Sequence, residues 1–251
     1  MNHQPSQYDA LAEAYAEIEW PLRTWVEVPS VVRVLGDVAG QSVLDVGCGE
    51  GLYSRLVSRL GATHVVATDA SEEMIKQARE RESVDQLGIE YLVGHAASLG
   101  EMGEFDLALA IHLLHYASDV RELLAMTTAL ASRIRSGGRL VGVVLNPDFD
   151  HGQQTQQFGF RLRPHAGGDG DAVVMDLYPD AAGSTHQPFS LHAHYYRRPT
   201  YEHALRAAGF RTISWHRFEL AANAPTGQTA EVWEPVLQNP YADIFECVRA
   251  A

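Results

Sequence analysis

Two aspartates and a run of alternating glycines carry the first chemical signal in this chain. The stretch SVLDVGCGEGL (42–52) sets Asp45 before Gly47, Gly49 and Gly51, and Asp69 closes a second apolar run, HVVATDA, 18 residues after Gly51. Glycines let a backbone approach a ligand without Cβ clashes. An acid placed just before such a turn suits a cationic or amine-bearing ligand better than a phosphate. A carboxylate at the end of the second strand can accept two hydrogen bonds from a ribose diol. The spacing here is G-x-G-x-G, whereas a dinucleotide fingerprint needs G-x-G-x-x-G. A phosphate-binding loop ends in Gly-Lys-Ser/Thr, and Gly51 is followed instead by Leu-Tyr-Ser. The turn therefore speaks against both a nicotinamide-dependent oxidoreductase and a phosphate cradle.

Further groups with chemical potential follow. His112 and His115 come just after an apolar run (105–111) and can orient or deprotonate an N–H or O–H near neutral pH. His192 and His194 are two apart on a predicted strand and so share a face. No acidic pattern beside them completes a metal site, and no metal is expected.

The elements that must hold these residues alternate along the chain. Apolar runs at 42–47, 64–70, 89–96, 105–113 and 139–146 read as strands. Helical periodicity fills 51–61, which closes on Gly61, and 71–82, which opens on a Ser cap with two acids in its first turn. A long helix is expected over 119–138, stopped by Gly137 and Gly138, and another over 200–210; strands at 211–220 and 243–250 follow. Strand–helix–strand repetition with apolar strands implies a parallel sheet covered on both faces. Ahead of it, 8–35 is helical in pattern, with breaks expected at Pro21 and near Pro29. Residues 147–198 break the rhythm with three short alternating pieces, read as an antiparallel insertion. Ligands of open α/β sheets bind beyond the carboxyl ends of the strands, so an insertion leaving the fifth strand is expected to roof the site.

Size and charge narrow the function. A chain of 251 residues with 46% apolar content can bury one sizeable α/β domain. A formal net charge of −13 argues against nucleic acid as a main partner. The two cysteines, Cys48 and Cys247, exclude a disulfide framework and fit a reducing compartment. No stretch is long enough for a membrane span, and the first residues lack a signal-peptide pattern, so a cytoplasmic location is expected.

Taken in order, VLDVGCGEG, VVATDAS, GHAASL, FDLALAIHLLHYA and SGGRLVGVV resemble the motifs of the class I S-adenosylmethionine-dependent methyltransferases. The resemblance runs from about 42 to 248. It implies a Rossmann-like α/β fold: a seven-stranded, mostly parallel sheet with helices on both faces, an N-terminal helical cap and the antiparallel insertion over the active site. It implies one domain over 1–251, with N-terminal helices (1–40), a cofactor-binding core (41–146 and 199–251) and a substrate cap (147–198). By the same resemblance S-adenosylmethionine is the cofactor. Asp45, Gly47, Gly49 and Gly51 form the turn beneath it, Asp69 holds its ribose hydroxyls, Met74 lies against its adenine, His95 and Ala96 pair with the adenine, and Ala70 and Ile111 are further cofactor contacts. Tyr15 on the leading helix closes over it. Where many members have an aspartate receiving the adenine amino group, this chain has His95, whose neutral ring can accept one bond.

The C-terminal half, with NPDF, FGFRL, YYRRPTYEHALRAAGF and a late Trp-Glu-Pro, is similar to the toxoflavin-type N-methyltransferases of bacterial specialised metabolism. That similarity implies a small heterocyclic acceptor methylated on nitrogen, in antibiotic-type biosynthesis. Tyr8, Trp20, His194, Tyr196 and Arg197 are the expected acceptor-binding residues, and His112 and His115 the expected catalytic ones. Oxygen methylation of a phenolic or carboxylate metabolite is the alternative, as is a non-catalytic S-adenosylmethionine-binding protein. A monomer or homodimer fits either.

Overall fold

The computed structural model describes residues 20–153, 155–178, 189–225, 227 and 229–250. A π-helical turn, Arg23–Glu27, runs into α1 (Val28–Leu35), which is followed by β1 (Ser42–Val46), α2 (Leu52–Arg59) and β2 (His64–Asp69). Next come α3 (Glu72–Asp85), β3 (Glu90–Val93), β4 (Phe105–Ile111), a 3-10 turn at Leu114–Tyr116, α4 (Val120–Ala131) and the long β5 (Ile134–Leu145). The chain continues through β6 (Phe160–Leu162), β7 (Ala172–Leu177), β8 (Phe189–His194), α5 (Arg198–Ala207), β9 (Phe210–His216), α6 (Ala230–Gln238) and β10 (Ala242–Arg249).

Among the described residues, seven strands form one sheet in the order β3-β2-β1-β4-β5-β10-β9. The first five strands pair in parallel, and β10 runs antiparallel to both β5 and β9. Successive strand residues point to opposite faces, and both faces are buried. Val43, Leu107, Leu109 and Val141 join one core with residues of α1, α2 and α3. Leu44, Ala108, Ala110 and Leu140 join a second with residues of α4 and α5. The strands read as continuous apolar runs for this reason. The strand order reverses between β1 and β4, which opens a crevice at their carboxyl ends. No helix of the described residues is long and apolar enough to cross a membrane.

Three elements depart from expectation. The described helix starts at Pro21, just after the non-helical Trp20, and Pro29 does not interrupt it: it runs unbroken from 21 to 35. Pro29 lacks an N–H for the carbonyl four residues back; that carbonyl, on Trp25, accepts instead from Ala221 N–H at 2.7 Å. The turn before it widens to π geometry, Val28 N–H bonding Arg23 O. The long helix ends at Ala131, not at the two glycines, because Ile134 already pairs with Phe105. The glycines lie where the pairing with β4 shifts register, and Gly137 takes a φ of +74° there. Finally, α6 forms despite the interior Pro235, burying Trp233 and Val236; the Trp233 ring lies 5.4 Å from that of Phe158.

The insertion is a three-stranded antiparallel sheet, β6-β7-β8. Leu162, Met175 and Leu191 fill its inner face. It packs on the 3-10 turn through β8, and the Phe160 ring lies 4.8 Å from that of Tyr241.

Candidate active site

A cavity of about 1030 Å³ follows the carboxyl edge of the sheet. Its wall takes His95 and Ala96 from beyond β3, Asp69 and Ala70 from the end of β2, the glycine turn from β1, and Ile111 and His112 from β4. The start of α4 contributes Glu122 and Met126, and the leading helix contributes Arg23 and Glu27.

The turn is built for close approach. Gly47 has a φ of +74°, and a Cβ there would stand 2.8 Å from Leu113 Cδ1. Gly51 has a φ of +85°, and its missing Cβ leaves room for the Tyr91 hydroxyl. Asp69 ties turn and strand together, its Oδ2 accepting from Gly49 N–H at 2.8 Å and its Oδ1 from Ser71 N–H at 2.9 Å. Ser71 in turn caps α3 by accepting from Met74 N–H at 3.2 Å, which fixes Met74 in the wall.

Asp45 is buried and its partner is a neutral hydroxyl, Ser54 Oγ at 2.6 Å. Burial pushes its carboxyl up to about 6; the Ser54 bond opposes this and the Asp69 charge adds to it. A wall with two neighbouring carboxylates, one of them matched to no cation, favours a positively charged ligand.

At the β4 end, Glu27 is the hub. Its Oε1 accepts from Tyr53 hydroxyl at 2.9 Å, and its Oε2 from the Tyr241 hydroxyl and from His112 Nε2 at 2.8 Å. Burial works to raise the Glu27 pKa, but His112, Arg23 and Tyr241 outweigh it and hold the carboxyl down at about 2. Burial and the Glu27 charge push the Tyr241 hydroxyl well up, so it stays a donor.

Comparison with known proteins adds the family. Residues 43–138 match the family model described as a methyltransferase domain. These residues are a methyltransferase domain. The surrounding fold is that of the class I S-adenosylmethionine-dependent enzymes. A ubiquinone biosynthesis O-methyltransferase of Rhizobium etli is 38% identical over 108 residues, 43% of this chain and 42% of that protein. One from Xanthomonas oryzae is 36% identical over 112 residues, 44% of this chain and 45% of that protein. The chain thus spans less than half the length of the curated relatives it matches. An S-adenosylmethionine-dependent methyltransferase from Mesorhizobium loti superposes with a TM-score of 0.62 at 23% identity, covering 89% of this chain and 97% of that one. The CcbJ methyltransferase from Streptomyces caelestis gives a TM-score of 0.65 at 17% identity, covering 96% of each chain. At these identities the structures speak for the fold.

The methyltransferase domain fits its family's cofactor. The close-approach turn, the paired acids and the wall residues Ala70, Met74, Ala96 and Ile111 stand together in one cavity. Gly51 lies just outside the lining, beneath the turn against Tyr91. His95 lines the cavity but does not fit the acceptor role expected of it. Its Nδ1 accepts from Ala97 N–H at 3.2 Å, so the neutral ring carries its hydrogen on Nε2, which lies 3.7 Å from Glu122 Oε1. The ring presents a donor to the cavity in place of the expected acceptor.

The two histidines expected to be catalytic separate. His112 is in the wall, while His115 is fully buried in the layer behind, with Nδ1 unpartnered among the described residues. Burial, then the neighbouring His112 and His194, drives the His115 pKa well down, so it is a neutral core residue.

Of the residues expected to bind the acceptor, the described ones, Trp20, His194, Tyr196 and Arg197, do not line the cavity. Tyr196 is buried, donating to Ala117 O at 2.6 Å. Arg197 is engaged with Asp169, its Nε 3.0 Å from Oδ2. His194 sits at the end of β8, its Nδ1 buried, and no described residue of the insertion lines the wall. Trp20 stands beside the site, with the Arg23 guanidinium 4.9 Å over its ring. Tyr8 and Tyr15 lie outside the described residues. Among the described residues no cluster could hold a metal ion. Sequence reasoning missed Glu27, Tyr53, Tyr241 and Arg23. The one available signal was the Trp-Val-Glu-Val-Pro stretch, an acid inside an otherwise apolar helical face.

Proposed function

We propose that this chain transfers the methyl group of S-adenosylmethionine to an oxygen of a small acceptor, with a phenolic hydroxyl as the favoured class. The observation that carries the choice of oxygen is His112: an imidazole in the cavity wall, after the strand that ends beside the glycine turn. Bound there, the cofactor supplies an activated methyl on a sulfonium. Asp45 and Asp69 set the negative field that receives this cation, and Met74, Ala96 and Ile111 give apolar walls for its ring. His112 takes the acceptor proton, and the leading helix closes the β4 end of the cavity against water. The O-methyltransferase names of the matched relatives support the same choice. The expected nitrogen heterocycle rested on the C-terminal half, whose His194, Tyr196 and Arg197 lie outside the cavity wall.

Turnover tests the reading. A panel of phenols, carboxylates and azaheterocycles is incubated with S-adenosylmethionine, and product is read as a 14-dalton mass gain (roughly one methyl for one hydrogen) with release of S-adenosylhomocysteine. Methylation confined to nitrogen acceptors overturns the choice of oxygen, and cofactor binding without turnover leaves a binding protein. By calorimetry, Asp69→Ala is expected to abolish most cofactor affinity, since the ribose loses its carboxylate partner and Gly49 N–H its acceptor. Unchanged affinity refutes the cofactor site.

A further inference from the structure

We propose that Glu27 is a positioning residue: its buried carboxylate holds the His112 ring with the hydrogen on Nε2, so that Nδ1 is the atom that receives the acceptor's proton. This rests on the oxygen-methylation reading above.

The tautomer follows from the hydrogen bonds. Glu27 is 3% exposed and ionised, hence an acceptor at both oxygens. A contact of 2.8 Å between Glu27 Oε2 and His112 Nε2 therefore needs a hydrogen on Nε2. The neutral ring then keeps its lone pair on Nδ1, for which no protein partner exists among the described residues. The Tyr53 and Tyr241 hydroxyls occupy the remaining acceptor sites of the carboxylate and stop it from rotating away. Tyr241 also stacks on the imidazole, ring centroids 5.9 Å apart and planes 18° apart. His115 meets the ring edge-on at 5.8 Å.

The backbone adds a second line. His112 has a φ of +54°, a left-handed conformation that costs a residue with a Cβ about 1 kcal/mol or more. Its N–H still bonds Val143 O at 2.9 Å, so the strain is confined to one residue at the end of β4. Such a bend re-aims the side chain from the sheet toward Glu27 and the cavity. Strain of this kind, sustained by a buried hydrogen-bonded partner, is characteristic of sites where ring orientation matters.

In the transfer step the acceptor O–H breaks and its proton passes to His112 Nδ1. The oxygen–methyl bond forms as the methyl–sulfur bond breaks, the electron pair of the latter staying on sulfur. The imidazolium so formed is neutralised by Glu27 and returns its proton to solvent. Among the titratable or charged groups, Glu27, Tyr241 and His115 meet the ring, and Arg23, Tyr53 and Tyr116 line the same cavity.

The test combines 15N spectra of histidine-labelled protein with kinetics. The wild-type His112 signal, assigned by its loss in His112→Gln, is expected to show hydrogen on Nε2. In Glu27→Gln, whose amide can donate as well as accept, a mixture of tautomers is expected, with kcat down about 100-fold and cofactor affinity unchanged. A wild-type signal with hydrogen on Nδ1, or an unaltered kcat in Glu27→Gln, overturns the proposal. Glu27→Asp keeps the charge and is expected to recover the tautomer with part of the rate. A carboxylate that only ties the leading helix to the sheet would lower thermal stability in both variants without moving the spectrum. Should Glu27→Gln fail to fold, the wild-type spectrum still decides. It also stands apart from turnover: failure of all hydroxyl acceptors defeats the functional reading, not the tautomer.

Discussion

Replacing Asp45 by Asn is expected to stabilise the free protein while weakening the cofactor site. Burial, opposed by the Ser54 bond and reinforced by the Asp69 charge, lifts this carboxyl from the usual 3.8 to about 6. The folded state therefore holds its proton more tightly than the unfolded chain does. The associated stability is fully present below pH 3.8 and is lost as pH rises through about 6. A displacement of about two pH units corresponds to about 3 kcal/mol of stability missing at neutral pH, to order of magnitude. Asn keeps an oxygen for the Ser54 hydroxyl and carries no charge, so it removes the penalty with little change of shape. Urea unfolding at pH 7.5 is expected to favour Asp45→Asn over wild type by up to that amount. Near pH 4 the advantage should vanish. Calorimetry on the same pair should show weaker S-adenosylmethionine binding in the variant, because a cationic ligand loses a facing carboxylate. An Asn variant no more stable at pH 7.5, or one whose advantage is constant with pH, would refute the reasoning.

Further outcomes follow from the two histidines and from the glycine turn. His115→Leu should keep kcat, since the ring is behind the wall, whereas His112→Ala should lose about 100-fold. Because the His115 pKa is driven well down, the wild type loses stability as pH falls below the usual histidine range, and His115→Leu should lose less, as read by thermal melts at pH 7 and 5. Gly51→Ala should cost about 1–2 kcal/mol for its left-handed backbone alone, and more for the collision with the Tyr91 hydroxyl. Tyr91→Phe, which removes a buried hydroxyl unpartnered among the described residues, should return part of that loss in the double variant.

The cofactor side of the cavity was legible because its chemistry is local along the chain. Asp45, Gly47, Gly49 and Asp69 lie within one β–α–β unit, so spacing alone carries their geometry. Glu27 was not legible: it meets His112 across 85 residues, and Tyr241 reaches it across 214. Only the fold brings the three together. His112 and His115 looked alike in sequence, three apart after the same strand. A single positive φ at His112 sends one ring to the cavity and leaves the other in the core. Tyr196 and Arg197 misled for a similar reason. An aromatic–basic pair reads as a ligand contact, yet here the tyrosine caps a core layer and the arginine tethers the start of α5 to Asp169.

A π-helical turn is what an α-helix becomes when it takes in one extra residue. Here that extra residue sits at Arg23–Glu27, between Trp20 and the anchored Pro29. Each residue of an α-helix rotates by about 100°. Deleting one position from 23–28 would restore ordinary winding and swing Trp20 by about that angle relative to α1. Chain length in this short stretch, with no substitution anywhere in the pocket, therefore sets the direction in which Trp20 faces beside the cavity.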